Sequence, residues 1–143
     1  MLPDLIRRQN ATAATLAKFR GKRFDWKAGR TCVHLARFHL RAMGHKLPKV
    51  PPIRSALGAR RALDANGWRD AGDMLRGIGL EEIVPGRMLL GDLIVYEQDG
   101  DHGLGAIAVQ VAPFKTILWA DWAGEKLATI DFDRSLISRC FRV

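Results

Sequence analysis

The sequence predicts an α+β fold, with N-terminal helices packed on one face of a C-terminal antiparallel β-sheet. Two observations carry that expectation. Up to about Ile78 the apolar residues recur at helical spacing, between residues suited to helix caps. From Leu80 onward they gather into short runs separated by Gly- and Asp-bearing turns. Helices first and strands second imply segregated layers rather than alternating βαβ units. No repeat or domain-scale linker interrupts the chain, so residues 1–143 form one domain, with an N-terminal helix in 1–20 and core motifs in 24–143.

The first helix is expected over Pro3 to Phe19. Pro3 suits the first helical position, Leu5, Ile6, Ala13, Leu16 and Ala17 supply the apolar stripe, and Gly21 ends it. A short aromatic loop, Arg23-Phe24-Asp25-Trp26, then leads through Gly29 to Cys32. Thr31 is the expected N-cap of a second helix from Cys32 to about Met43, closed by Gly44, with Val33, Ala36, Leu40 and Met43 facing the core. The proline-rich stretch from Leu47 to Pro52 cannot continue it. Ser55 caps a third helix to Asn66, with Leu57 and Leu63 buried, and Asp70 to Ile78 is a shorter fourth. Strands follow over Glu81–Pro85, Gly91–Tyr96, Leu104–Val111, Thr116–Asp121, Leu127–Phe132 and Ser138–Val143.

The chemistry of interest lies at Arg30-Thr31-Cys32-Val33-His34. Unpaired backbone N–H groups and the positive end of the dipole at a helix start favour a thiolate over a thiol, which lowers a cysteine's pKa and raises its nucleophilicity. A buried cysteine that packs as a small hydrophobe is the competing reading. The second cysteine, Cys140, is expected to pack in the last strand, and both to stay reduced. His34, His39, His45 and His102 form neither a Cys-x-x-Cys nor a His-x-x-x-His pattern, so no metal or other cofactor is expected. His34, His39 and His45 read as helix-surface or loop residues, Asp92 as a turn cap, and Trp119 and Trp122 as core or rim aromatics. Trp26 and Trp68 are either core aromatics too or the flanks of a substrate cleft near Cys32.

The net charge of +8 is uneven: residues 1–61 carry 15 Lys/Arg against 2 Asp/Glu, and residues 62–143 carry 8 against 13. A basic half suits an anionic partner such as cell-wall polymer, nucleic acid or an acidic assembly protein, or simply a solvated helix face. No apolar run approaches the roughly 20 residues needed to span a bilayer, and the first ten residues lack the apolar core of a secretory signal. The expectation is synthesis in the cytoplasm, with export only by lysis or in a larger particle such as a phage.

The order of these pieces resembles the NlpC-like branch of the papain-like cysteine peptidases, in particular a poorly characterised group encoded by phages and prophages near tail genes. The resemblance rests on Phe24-Asp25-Trp26-Lys27-Ala28-Gly29-Arg30-Thr31-Cys32, Gly91-Asp92-Leu93, Leu104-Gly105-Ala106 and Phe141-Arg142-Val143. It implies hydrolysis of peptidoglycan peptide bonds, with Cys32 as nucleophile, His102 as base and Asp121 as the group orienting the histidine, Gln110 being the alternative. Two positions depart from the pattern. Thr31 stands where Asp commonly precedes the cysteine, and aligning Gly105 with the glycine of His-x-Gly puts Gly103 at the base position. Strict strand alternation then turns His102 away from Cys32 unless Gly100 to Gly103 form a bulge. A relative without activity, serving as a tail-assembly or structural protein, is the alternative. A nucleic-acid binder is the least supported, because no recognition motif accompanies the basic half.

Overall fold

A computed structural model describes residues 3–49, 52–96, 104–112, 115–118, 127–131 and 137–143. Four helices come first: α1 (Asp4–Phe19), α2 (Cys32–Ala42), α3 (Ala56–Ala65) and α4 (Ala71–Gly77). Six strands follow: β1 (Glu81–Ile83), β2 (Leu93–Tyr96), β3 (Ala106–Ala112), β4 (Lys115–Leu118), β5 (Ala128–Asp131) and β6 (Ile137–Arg142). All neighbours pair antiparallel, in the order β1-β6-β2-β3-β4-β5, so the last strand inserts between the first two. The expected α+β layering holds, with individual strand bounds shifted by up to three residues and a 3-10 turn, Pro85–Arg87, after β1.

The caps form as their residue types dictate. Thr31, Ser55 and Asp70 each accept a backbone N–H three residues on, which satisfies a donor the helix leaves orphaned. One face of α2 supplies the centre of the core: Leu35, Ala36 and Leu40 are at most 1% exposed and pack with Leu93, Ile107, Val109, Ile117 and Phe141 from the sheet. The alternate residues Ile94, Tyr96, Ala106, Ala108 and Cys140 are buried on the opposite face of the sheet, beside Ile83. This is the period-two alternation of a strand.

Two expectations about helix faces fail. On α1, Leu5 and Ile6 are exposed, and so are Ala13 and Ala17, whereas Arg8, Thr12 and Thr15 are buried with Ala11 and Phe19. On α3, Leu63 is buried but Leu57 is exposed. The reason on α1 is electrostatic. Arg8 reaches across to the carboxylate of Asp92 (2.9 Å), to Asp4 (2.8 Å) and to the carbonyls of Leu90 and Val143.

Asp92 therefore does far more than cap a turn. It accepts the Leu89 N–H (2.8 Å) as a cap would, but its fully buried carboxylate also takes Arg8, the Val143 N–H (3.0 Å) and Arg142 (3.0 Å). Next to it, Gly91 adopts φ +84°, and a Cβ there would lie 3.1 Å from Thr12 Oγ1 and 3.4 Å from His39 Nε2. Only glycine meets both demands without strain. Replacing Gly91 by alanine is expected to cost about 1–3 kcal/mol in urea denaturation; an unchanged midpoint would refute the close approach.

His39 is buried, not on the helix surface. Its Nε2–H donates to the Gly91 carbonyl (2.7 Å), and Nδ1 lies 2.9 Å from Thr15 Oγ1. Burial holds its pKa below the usual imidazole value, with Arg8 nearby opposing the charge further. His34 and His45 are lowered as well, chiefly by burial. The unfolded chain thus takes up these protons first as pH falls. The stability they provide is complete above the unfolded pKa of about 6.5 and is lost as pH drops through it toward the lower folded values. Stability should therefore fall between pH 7 and pH 5, with a shallower slope in His39→Gln; urea midpoints across that range measure both.

Candidate functional site

The loop before α2 is built to deliver Cys32. Asp25 and Arg30 exchange backbone hydrogen bonds (2.8 and 2.9 Å), while the Asp25 carboxylate accepts the N–H groups of Lys27 and Ala28. Gly29, at φ +73°, lets the His34 ring lie against it, 3.5 Å from where a Cβ would stand. The Thr31 hydroxyl oxygen accepts the His34 N–H (3.3 Å) and sits 2.7 Å from His34 Nδ1. Thr31 thus fills the capping role that Asp would have, and it engages Nδ1 of His34.

Cys32 occupies the first residue of α2 but is only 8% exposed. Burial pushes its thiol above the ordinary value, and backbone hydrogen bonds from Ile107, Val33 and Cys32 itself oppose that only partly. Burial is the largest influence on the thiol and runs against the lowering expected at a helix start. Cys140 is also buried and is pushed up to about 11.

Beside Cys32 lies a narrow pocket of about 50 Å³, between α2, α3, α4 and the approach to β3. Val33, Leu63, Trp68, Met74 and Leu104 make its walls mainly apolar. Of the two expected flanking tryptophans, Trp68 lines this pocket. Trp26 stands edge-on to Phe24 (ring centroids 5.7 Å apart) and packs against the core that includes Leu63. The placement of Trp68 depends on Gly77, where a Cβ would come within 2.5 Å of the indole Nε1.

The residues expected to serve as base and orienter, His102 and Asp121, lie outside the described residues, as do Gly103, Trp119 and Trp122. Gln110 is described, and it does not fit the orienting role. It alternates with Ala108 and Ala106 on the face of β3 away from Ile107 and the helices. The alternation itself breaks at Gly105, which has φ +79°. Ala106 faces away from the helices, yet Leu104 packs with Ala59 and Leu63 of α3 and lines the Cys32 pocket. Parity counted back through β3 therefore does not extend past Gly105. Among the described residues no histidine, cysteine or acidic cluster is arranged to hold a metal, and no helix is long and apolar enough to cross a membrane.

Comparison with known proteins bears on the fold. A family model described as "Domain of unknown function (DUF6950)" matches residues 5–143. No curated protein matches the chain. Among solved structures, the P60 domain of an antigen from M. avium paratuberculosis is 17% identical with a TM-score of 0.58, over 98% of this chain and 96% of that one. RipD from Mycobacterium tuberculosis is 16% identical with a TM-score of 0.57, over 95% of this chain and 97% of that one. RipD is described as a non-catalytic NlpC/p60 domain protein adapted to a peptidoglycan-binding function. The chain has the NlpC-like fold.

Proposed function

We propose a binding role for this chain, which belongs to the DUF6950 family: it holds peptidoglycan peptides in the groove beside Cys32, with the thiol protonated and not acting as a nucleophile. The observation that carries the proposal is the apolar pocket at Cys32, where burial favours the thiol over the thiolate. A pocket can recognise a small side chain without a thiolate, whereas hydrolysis needs one. The description of RipD supports a fold of this kind serving to bind rather than cut. The basic residues of the N-terminal half would favour dwelling on an anionic wall.

The test is calorimetric titration of soluble muropeptides, with product analysis by mass spectrometry on the same samples. Binding without new products is expected, and Cys32→Ala should bind within about twofold of the wild type, because a small buried contact is all it removes. Absence of binding would sink the proposal. Hydrolysis is the second reading, favoured by Cys32 at the start of α2 and by the break in alternation at Gly105. It would show as cleaved stem or cross-bridge peptide, abolished by Cys32→Ala. The resemblance to phage and prophage chains supports carriage on a tail; immunogold labelling of purified particles tests that setting, and unlabelled particles would remove it.

A further inference from the structure

The groove does not stop at Trp68. A second pocket, of about 210 Å³, lies beyond it, lined by Leu40, Leu47, Pro48, Lys49 and Ile78 among others. The two pockets share Arg37, Asn66, Trp68 and Met74, so Trp68 and Met74 form a common wall rather than an end. The narrow pocket is otherwise walled mainly by hydrocarbon; Arg37 borders both, and the wider pocket adds a second cationic side chain, Lys49.

Arg37 is the telling residue. It is half-buried, and its guanidinium donates to the Pro48 carbonyl at 3.2 Å. Among the described residues no carboxylate pairs with it, and the neighbouring charge that acts on it, Arg41, has the same sign. Burial and Arg41 both disfavour its charged form. Elsewhere in this protein buried or half-buried arginines are matched: Arg8 and Arg142 with Asp92, Arg139 with Asp73 and Glu82. A partly desolvated guanidinium without a counter-ion, in a pocket, is relieved by an anion that arrives with a ligand.

We propose that the wider pocket is a carboxylate subsite read by Arg37, with Lys49 beside it, so that the groove takes a peptide with a small apolar side chain near Cys32 and an anionic end at Arg37. This rests on the peptide-binding role proposed above and specifies which peptides that role selects. A narrow pocket of about 50 Å³ suits a methyl-sized group, and a terminal alanine carries a methyl next to a carboxylate.

The test compares two probes on the wild-type protein: a muropeptide ending in a free D-alanine carboxylate and the same muropeptide ending in the carboxamide. The acid is expected to bind about tenfold tighter, the gain of one charge-assisted contact. Arg37→Gln should erase the difference, and Arg37→Lys should keep part of it. Because Arg37 also holds the Pro48 carbonyl, the acid–amide comparison on the wild type stands independently of how well the variants fold. Equal binding of acid and amide overturns the carboxylate subsite and leaves peptide binding intact. Binding of neither overturns both.

Discussion

Asp92→Asn is expected to lower stability by about 3 kcal/mol or more, the largest effect of any single polar substitution among the described residues. The change keeps the shape of the side chain and removes its charge. Arg8, 4% exposed, then keeps only Asp4 as an ionic partner, and Arg142 loses its carboxylate altogether. Breaking a buried pair costs far more than the pair itself contributes, because one charge is left desolvated. The double variant Asp92→Asn with Arg8→Met should therefore recover part of the loss. Urea denaturation measures both. If the single variant unfolds at the wild-type midpoint, the buried network has no energetic role.

Trp68→Ala is expected to weaken muropeptide binding at least tenfold, because the indole is the wall shared by both pockets. That substitution also costs packing, so a second variant is needed. In Gly77→Ala the new methyl would sit 2.5 Å from the indole Nε1, which forces Trp68 to shift without removing its indole. Weaker binding by Gly77→Ala, with the fold intact by circular dichroism, would locate the ligand beside Trp68. Full binding by both variants would move the site elsewhere.

Most of the architecture was legible in the sequence because its signals are local. Thr31, Ser55 and Asp70 announce their helices by capping, and the switch from helical to alternating spacing near Leu80 marks the change of layer. What was not legible depends on distant partners. Arg8 looks like a surface residue of α1 until Asp92, 84 positions away, is known to face it. His39 likewise becomes a core residue only through Gly91 and Thr15. Leu5 and Leu57 fail for the complementary reason: a periodic apolar stripe says that a helix is amphipathic, and which stripe is buried depends on the neighbour it meets.

The site was half legible. A cysteine at a helix start is a local pattern, and it was found. Its burial depends on walls contributed by three other elements, and burial opposes the effect of the helix terminus. The Gly91-Asp92 pair was likewise visible as a motif, but its purpose was not: a glycine that admits His39 and an aspartate that gathers two arginines make it architectural. Parity along β3 stops at Gly105, and a positive-φ residue cannot be seen in an alternating pattern.

The state of the Cys32 thiol is the most direct measurement to make. Its alkylation rate should be followed against pH in Cys140→Ser, with and without His102→Ala. The binding proposal predicts slow alkylation at neutral pH, half-reactivity above the reference thiol value of about 8.5, and no effect of His102→Ala. Rapid alkylation with half-reactivity well below that value, reversed by His102→Ala, would contradict it and establish Cys32 as an activated nucleophile.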